Sequence, residues 1–397
     1  MAQRAQVVTG MRDIVPPEAE LRRRVANRIL DVYSQYGFEV IETPALEELE
    51  VLVGSNGGEN EKLIFQVMKR GAKLEQARQH GEELADAGLR FDLTVPLARF
   101  VANHLNELPM PFKVAHIAPV WRAERPQRGR FREFTQCDID IVGEPSTAAE
   151  VELCSATMVA LSGIGIHGCT VRINDRRLLR WAVEDALGPL DKPDSVYIAL
   201  DRLDRAGAEA VATELVAAGH DSQAVDRLVT TLASGQPVGP ADLHGEVEQT
   251  ISALRSQHFS VRFDPALVRG MGYYTGQIFE ISHPSVPYSL AGGGRYDGMT
   301  ARYGGPSLPM CGFSIGFERV CDMVDREIFS TGQQKVAVLC PGTEEMLRCF
   351  EVADRKRAEA PGSTFSVLRR ARNVRKQQED LAKLGYLEVV DARDFLA

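Results

Sequence analysis

The chain has 397 residues, of which 44% are hydrophobic and 25% are charged. These are the proportions of an ordinary globular protein, and they exclude a disordered chain, a collagen and a long coiled coil as overall descriptions. The formal net charge is −9, from 46 Lys and Arg against 55 Asp and Glu. This balance excludes nucleic-acid binding driven by bulk positive charge, and it leaves only a local basic surface for that purpose.

The sequence carries no signal for a membrane segment or a disulfide scaffold. Its 7 cysteines are dispersed, without a CxxC pair or a Cys/His set at zinc spacing, which is typical of buried thiols in a reducing cytosol. No run of about 18 apolar residues occurs, and the first segment has no apolar signal region. We therefore expect a soluble, cytoplasmic protein with no membrane contact, built from two to three domains of about 150 residues each.

The first part of the chain predicts one amphipathic helix followed by short strands. Apolar residues from Leu21 to Tyr36 recur at steps of three and four, which indicates one face of a helix that Gly37 is placed to end. Strands are predicted at 38–41, 61–67, 89–94, 112–122 and 131–142, and a helix is predicted from Pro96 to about His104.

The rest of the chain predicts a helical stretch between two groups of strands. A helix is expected at 146–163 and a strand at 169–174, and the Ala/Leu/Asp-rich segment 176–263 predicts an inserted helical subdomain. Strands are then expected at 273–282, 289–299 and 310–320. The tail predicts a small α/β domain of alternating elements, with strands at 335–340, 363–368 and 386–390 and helices at 343–359 and 373–385.

The hairpin between the two long strands is rich in arginine. Arg122 lies at a strand end, and the loop after it carries Arg125, Arg128 and Arg130. Guanidinium groups match phosphate oxygens bidentately and keep their charge, so this hairpin suits a polyphosphate or a nucleic-acid backbone. Glu124 is expected on the strand face of Arg122, where its carboxylate would accept from an exocyclic base amine. A solvated hairpin with cross-strand ion pairs is the alternative.

Three glycine-containing segments follow in the second half. The segment 269–276 joins Arg269 to the pair Tyr273 and Tyr274, whose rings are expected on opposite faces of a strand; an edge strand with a glycine bulge is the alternative. Three successive glycines at 292–294 favour the close approach of a flat ligand over a plain turn. Arg319 is expected in the first turns of a helix, where it needs a protein acid or a ligand phosphate as partner.

Polar side chains recur on single faces of two predicted strands. Asp92 and Thr94 alternate on one strand, and Gln136, Asp138 and Asp140 alternate on another. A cluster of acids and amides of this kind would bind an amine or an imidazole. Solvated strand faces produce the same pattern.

Taken together and in this order, these segments resemble histidyl-tRNA synthetase, a class II aminoacyl-tRNA synthetase. GMRDIVP (10–16), with Thr43-Pro44 downstream, is similar to the opening and motif 1, and VWRAERPQRGRFREFTQCDIDIVG is similar to motif 2. LVRGMGYYTG and AGGGRYDG are similar to the two histidine signatures, and GFSIGFERV to motif 3. The resemblance implies an α+β fold with an antiparallel sheet flanked by helices, a homodimer, and activation of histidine with ATP and Mg²⁺ before transfer to the 3′ end of histidine tRNA.

The resemblance also implies roles for individual residues. Arg122 would hold the α-phosphate and the amino-acid carboxylate, and Arg269 would stabilise charge on the α-phosphoryl group. Glu124 would contact the adenine amine, Phe134 would stack on adenine, and Arg319 would clamp the base and the γ-phosphate. The remaining residues would bind the amino acid: Asp92, Leu93, Thr94, Gln136 and Asp140, largely around the ammonium, and Tyr273 and Tyr274 around the imidazole.

The expected domains are a catalytic core in two parts (1–175 and 264–328), the helical insertion at 176–263, and a shortened anticodon-binding-like α/β domain at 333–397. The basic stretch 369–376 in that domain would touch a phosphate backbone. Two positions depart from the family pattern, because Gly272 replaces an acid and Thr135 replaces an aromatic residue or histidine.

These departures leave two alternatives open. One is an adenylate-forming paralogue that activates histidine or a related amino acid for an acceptor other than tRNA. The other is a non-catalytic regulatory paralogue of histidine biosynthesis, against which Arg122, Arg269 and Arg319 all speak.

Overall fold

A computed structural model of the chain describes residues 5–54, 60–125, 131–190, 193–236, 238–269, 273–329 and 335–397. The chain divides into two units. The first consists of Met1–Arg12 and Ala26–Val324, and the second of Asp13–Val25 and Asp325–Ala397. In the described parts of the chain, no helix combines the length and the apolar character needed to cross a bilayer.

The strands of the first unit form a large sheet and a small one. In chain order they are β1 Glu39–Val40, β2 Leu46–Glu48, β3 Phe65–Met68, β4 Ala85–Leu89, β5 Phe112–Trp121, β6 Glu133–Val142, β7 Thr170–Asp175, β8 Ser260–Phe263, β9 Gln277–Ser282, β10 Ala291–Arg295 and β11 Met310–Gly316. The large sheet has eight strands in the order β1-β5-β6-β11-β10-β9-β7-β8. Its β1–β5 and β7–β8 pairs are parallel and its other pairs are antiparallel. The predicted α+β class with an antiparallel sheet is confirmed.

Helices pack against this sheet and make up most of the segment 176–263. They are α1 Glu18–Gln35, α2 Leu49–Val53, α3 Ala72–His80, α4 Thr94–His104, α5 Ala148–Gly163, α6 Arg176–Leu187, α7 Asp194–Leu200, α8 Leu203–Ala206, α9 Ala208–Ala217, α10 Ser222–Ala233, α11 Ala241–Ser256 and α12 Phe317–Met323, with 3₁₀ turns at Asn60–Leu63 and Met299–Tyr303. The helix predicted before Gly37 is confirmed as α1, and this glycine has a φ of +80°. Such a left-handed angle favours glycine at the end of a helix.

The two longest strands carry the alternation on which the site depends. β5 and β6 pair over their full length, from Phe112 opposite Val142 to Trp121 opposite Glu133. On one face of β6, Cys137, Ile139 and Ile141 are at most 2% exposed and form part of the core. The opposite face therefore carries the residues of even number, because successive side chains of a strand point to opposite sides.

One predicted strand is wrong. Residues 89–94 do not form a strand, since β4 ends at Leu89 and α4 begins at Thr94. Oδ1 of Asp92 accepts a hydrogen bond of 3.1 Å from the backbone N–H of Val95, and this contact satisfies one of the free donors of the first helical turn. Asp92 and Thr94 thus mark a helix start rather than one face of a strand. The strand expected at 61–67 is observed as β3, which is shorter and begins later, at Phe65.

The segment 176–263 contributes most of one buried apolar cluster. Apolar side chains of α6, α7, α9 and α10 form one buried cluster that includes Leu179, Val211 and Leu228. The last strand of the stretch 176–263, β8, pairs with β7 and so joins the large sheet.

The second unit contains a three-stranded parallel sheet in the order β13-β12-β14. Its strands are β12 Lys335–Cys340, β13 Thr364–Arg369 and β14 Glu388–Asp391, and its helices after residue 334 are α13 Thr343–Glu359, α14 Val374–Lys383 and α15 Ala392–Leu396. The alternation of strands and helices predicted for the tail is confirmed.

Candidate active site

Three arginines that are far apart in the sequence line one cavity of the first unit. Arg122, Arg269 and Arg319 face a space of about 250 Å³ whose walls include β6, β10 and β11. A cavity with three guanidinium groups suits a ligand with several negative oxygens. The same cavity is lined by Thr94, Gln136, Asp140, Tyr273 and Tyr274.

Arg122 follows the end of β5 and is held by the backbone. Its Nε donates to the carbonyl oxygen of Phe91 at 3.0 Å, and its guanidinium lies 5.1 Å from the centre of the Phe134 ring. Since β5 ends at Trp121, Glu124 does not lie on a strand with Arg122, and that expectation is wrong.

Arg269 is fixed between a carboxylate and a hydroxyl. Its Nε donates to Oε2 of Glu280 at 2.8 Å, and its Nη2 donates to Oγ of Ser289 at 3.2 Å. The guanidinium lies directly on β10, where a Cβ at Gly292 would approach Nη1 to 1.6 Å. A side chain of the protein itself therefore fills the space beside Gly292. A Cβ at Gly293 would likewise approach the carbonyl oxygen of Gly312 to 2.0 Å, so close packing within the protein accounts for these glycines and the flat ligand expected from the sequence is not needed.

Arg319 lies in α12 and shares a partner residue with Arg269. Its Nη1 donates to the carbonyl oxygen of Ser289 at 2.7 Å, and its guanidinium lies 5.1 Å from the centre of the Tyr288 ring. Ser289 therefore binds both arginines: its hydroxyl accepts from each of them, and its carbonyl accepts from Arg319. No sequence motif indicated this serine.

A strip of polar side chains runs along β6 on the cavity side. Gln136, Asp138 and Asp140 all line the cavity, and both aspartates are only 6% exposed. Burial raises the pKa of Asp140 to about 7, although the Tyr296 hydroxyl lowers it. Burial, followed by the nearby carboxylate of Asp140, raises the pKa of Asp138 well above its usual range. A cationic ligand placed here would offset the cost of ionising these two buried carboxyl groups.

The two tyrosines occupy the same side of the site. Both precede β9, which begins at Gln277, so the expectation that they project to opposite faces of a strand is wrong. Their ring centres are 4.4 Å apart, and the hydroxyl of Tyr273 donates to the hydroxyl of Tyr274 at 3.3 Å. Together they form an aromatic wall that still offers hydroxyl groups.

Four of the predicted site residues are not part of the cavity lining: Asp92, Leu93, Glu124 and Phe134. Leu93 is 1% exposed and belongs to the apolar core. Burial raises the pKa of Asp92 to about 6, against the effects of the Val95 N–H and of Arg122. Arg128, Arg130 and Gly272 lie outside the described residues.

Sequence reasoning missed Tyr296 and Ser314, which also line the cavity. Tyr296 directly follows the glycine-rich strand, and this position in the AGGGRYDG segment was the available signal. Among the described residues, no group of three or more His, Cys, Asp and Glu is arranged to hold a metal ion.

Comparison with known proteins gives one consistent result. The family model for histidyl-tRNA synthetase matches residues 10–320. A histidine–tRNA ligase of Leifsonia xyli subsp. xyli (strain CTCB07) is 42% identical over 404 aligned positions, which cover 95% of this chain and 93% of that protein.

Solved structures agree with this match. The crystal structure of histidyl-tRNA synthetase from Nostoc sp. PCC 7120 is 26% identical with a TM-score of 0.76, and the match covers 97% of this chain and 90% of that one. An ATP phosphoribosyltransferase regulatory subunit/histidyl-tRNA synthetase from Bacillus halodurans C has a TM-score of 0.79 over 98% of this chain and 99% of that one, but at 21% identity this likeness concerns the fold alone. This chain belongs to the histidyl-tRNA synthetase family.

Proposed function

We propose that this chain is a histidine–tRNA ligase that works in the cavity around Arg122, Arg269 and Arg319. It activates L-histidine with Mg-ATP and transfers the histidyl group to the 3′ end of histidine tRNA. The relative from Leifsonia xyli, which is named a histidine–tRNA ligase, supports this activity over nearly its whole length. The observation that carries the proposal is the cavity itself, which has guanidinium groups on one part of its wall and buried carboxyl groups on another.

The first step joins the two small substrates. A carboxylate oxygen of histidine attacks the α-phosphorus of ATP, the bond from that phosphorus to the bridging oxygen of the β-phosphate breaks, and pyrophosphate leaves with the bonding electron pair. Negative charge grows on the α-phosphoryl oxygens during this displacement. Positive groups fixed in advance at these oxygens lower the barrier, and one such donor is typically worth about 3–4 kcal/mol.

Arg122 and Arg269 supply this charge in the proposed site. Arg122 holds the α-phosphate and the histidine carboxylate, and Arg269 stabilises the α-phosphoryl group at the transition state. Both arginines are anchored by protein groups, Arg122 by the carbonyl of Phe91 and Arg269 by Glu280. Their anchoring supports a catalytic role, because a preorganised donor needs no reorganisation during the reaction.

The nucleotide is held by groups near the mouth of the cavity. Arg319, which is exposed, clamps the base and the γ-phosphate. The Glu124 carboxylate accepts from the adenine amine, and the ring of Phe134 stacks on adenine. Mg²⁺ arrives with the phosphates of ATP and offsets part of their charge.

Histidine is recognised by the polar strip and the tyrosines. Tyr273 and Tyr274 line the imidazole. The ammonium group is surrounded by five residues: Asp92, Leu93, Thr94, Gln136 and Asp140. A pocket that hydrogen-bonds both ring nitrogens rejects an apolar isostere strongly, since the wrong side chain leaves buried polar groups without partners.

The second step needs the tRNA. A hydroxyl of the terminal ribose attacks the carbonyl carbon of histidyl-adenylate, and the bond from this carbon to the AMP oxygen breaks.

We assign residues 1–175 and 264–328 to the catalytic core, 176–263 to the insertion and 333–397 to an anticodon-binding-like domain. The basic stretch 369–376 supports contact of that domain with the tRNA backbone.

An exchange assay across all twenty amino acids tests the activation step. Incorporation of labelled pyrophosphate into ATP should depend on histidine, and the other amino acids should give little signal. No exchange with any amino acid would favour a regulatory paralogue and contradict the proposal. Exchange with histidine but no charging of histidine tRNA would leave an adenylate-forming enzyme with another acceptor.

The proposal includes a homodimer working in the cytoplasm. Light scattering coupled to gel filtration should give a mass of about twice the 43.7 kDa of one chain. A monomer mass at micromolar concentration would contradict the dimer and leave the activity to be judged by the exchange assay.

A further inference from the structure

Glu318 joins the start of α12 to the beginning of β6. The pairing of β6 with β11 ends at Gln136, which lies opposite Gly316. One residue earlier on β6, the backbone N–H of Thr135 donates to Oε1 of Glu318 at 3.1 Å. Because β11 ends at Gly316, the Glu318 carboxylate takes over as the acceptor for this backbone donor of β6.

Both residues of this contact are sequence neighbours of groups assigned to the nucleotide. Thr135 follows Phe134, whose ring is proposed to stack on adenine. Glu318 precedes Arg319, which is proposed to clamp the base and the γ-phosphate. A displaced Glu318 would therefore change the spacing between two sides of the nucleotide site. The contact uses the backbone of Thr135, so it needs no particular side chain at this position, where the chain departs from the family pattern.

Arg12 binds the other oxygen of the same carboxylate. Its Nη2 donates to Oε2 of Glu318, and its guanidinium lies 4.0 Å from the centre of the Phe131 ring. The Glu318 side chain is 15% exposed, whereas that of Arg12 is 40% exposed. A partly buried carboxylate and an aromatic ring beneath the cation favour one fixed geometry, which a fully solvated ion pair would not have.

The backbone before Arg12 lies against the same end of β6. The backbone N–H of Arg132 donates to the carbonyl oxygen of Gly10 at 2.8 Å. The Nε of Arg132 donates to the carbonyl oxygen of Glu124 at 2.9 Å, and its own carbonyl oxygen accepts from the N–H of Arg122 at 2.8 Å. The N-terminal segment therefore braces Arg132, which in turn contacts two residues assigned to ATP.

We infer that Arg12 is a positioning residue for the nucleotide half of the site and acts through Glu318. The ion pair fixes the carboxylate, the carboxylate joins α12 to β6, and these two elements hold Arg319 and Phe134 at a constant spacing. Arg12 is not among the described residues that line the cavity, so its effect on ATP is indirect. The inference rests on the proposed function, which assigns Phe134 and Arg319 to ATP.

Pyrophosphate exchange at varied ATP and at varied histidine tests the inference. Arg12→Ala should raise the KM for ATP about tenfold and leave the KM for histidine near the wild-type value, because the loosened elements are those assigned to the nucleotide. A merely structural role would reduce the active fraction, and hence kcat, without a difference between the two substrates.

A double-mutant cycle tests whether Arg12 acts through Glu318. Glu318→Gln keeps an oxygen for the N–H of Thr135 but removes the charge that Arg12 binds, so it should raise the KM for ATP as Arg12→Ala does. Once either partner has been replaced, replacing the other should add little. Additive effects on the KM for ATP in Arg12→Ala/Glu318→Gln would overturn the route through Glu318.

Controls separate this inference from the proposed function and from misfolding. Arg78→Ala removes the cation of an exposed ion pair with Glu75 in α3, and it should leave both KM values unchanged. Absence of exchange by the wild-type protein would contradict the proposed function. Wild-type exchange combined with an unchanged KM for ATP in Arg12→Ala, or with an equal rise in both KM values, would overturn the positioning role. If Arg12→Ala fails to fold, Glu318→Gln is judged by the same two criteria.

Discussion

The hydroxyl of Tyr296 donates a hydrogen bond of 2.5 Å to Oδ1 of Asp140 across the floor of the cavity. The carboxyl group passes directly over Gly312, where a Cβ would lie 1.8 Å from the same oxygen. The Tyr296 ring packs edge-on against Tyr273, with ring centres 6.1 Å apart. Tyr296 thus orients an acid and links it to the aromatic wall of Tyr273 and Tyr274.

Replacing Tyr296 with phenylalanine should shift the pH dependence of histidine recognition upward. The hydroxyl stabilises the ionised form of Asp140 and so lowers its pKa, which burial has raised to about 7. Without this donor the pKa of Asp140 rises further, and a higher pH is needed to ionise it. The pH at half-maximal kcat/KM for histidine should increase in the exchange assay, with a KM about tenfold higher at neutral pH.

Tyr303→Phe is the matched control for this change. Tyr303 packs against the apolar cluster that contains Tyr296. Its hydroxyl donates to the carbonyl oxygen of Val51 at 3.4 Å, and it is not part of the cavity lining. This variant should keep the wild-type pH profile. An unchanged profile in Tyr296→Phe would show that Asp140 does not titrate in the binding step.

Arg269→Ala should abolish most adenylate formation while histidine binding largely persists. The variant loses the guanidinium proposed to stabilise the α-phosphoryl charge, which corresponds to a decrease of about a hundredfold to a thousandfold in kcat for exchange. Arg262→Ala, at a β8 residue whose side chain is 60% exposed, provides the control. Near-normal exchange in Arg269→Ala would remove this residue from the catalytic machinery.

Gly292→Ala should reproduce the defect of Arg269→Ala without touching the arginine. The added methyl group would occupy the position of Nη1, at 1.6 Å, and would push the guanidinium out of its place. Exchange activity should fall at least tenfold. Gly245→Ala places the same methyl group in α11, where nothing lies within 4 Å, so its exchange rate should match the wild type. Full activity in Gly292→Ala would mean that the observed position of Arg269 is not the active one.

Arg375→Glu should slow the charging of tRNA and leave pyrophosphate exchange intact. The Arg375 side chain is 92% exposed and lies in the basic stretch 369–376, so the charge reversal costs little folding free energy and acts on contacts with phosphates. Arg355→Glu, at another exposed position of the second unit, is the control. Equal charging rates for the two variants would exclude a special role for the stretch 369–376.

The alternation of β6 is where the sequence was most informative. Its period of two put Gln136, Asp138 and Asp140 on one face, and the structure confirms this because buried apolar residues hold the opposite face. A strand with one buried face has little freedom of register. That Arg122, Arg269 and Arg319 meet in one cavity could be predicted only from the family resemblance, because no local sequence pattern reveals which distant strands become neighbours.

Each wrong expectation has an identifiable physical cause. Asp92 belongs to a helix start because its side chain satisfies the N–H of Val95, and alternation alone did not distinguish this from a strand. The tyrosine pair departs from strand geometry because both residues precede β9. Gly292 suggested a ligand, yet the nearby group is Arg269, a side chain 23 residues away in sequence. Contacts of this kind exist only after the sheet has formed.

His116→Leu should stabilise the protein, and more so in acid. His116 is 2% exposed, and neither ring nitrogen has a hydrogen-bond partner among the described residues. Its pKa is lowered to about 4, chiefly by burial, against about 6.5 in an unfolded chain. The unfolded state therefore binds the proton more readily, and the contribution of the neutral imidazole to stability is present above pH 6.5 and lost as the pH falls toward 4.

The leucine side chain binds no proton and has no buried nitrogen that needs a hydrogen-bond partner. The free energy of unfolding should rise by about 1–2 kcal/mol at pH 7.5, and the gain over the wild type should grow by about 2 kcal/mol at pH 5. Urea denaturation of both proteins at the two pH values measures this difference. His220→Leu reports the general effect of removing a half-buried histidine. A gain that is the same at both pH values would contradict the lowered pKa of His116, and a loss of stability would show that its nitrogens are hydrogen-bonded in solution.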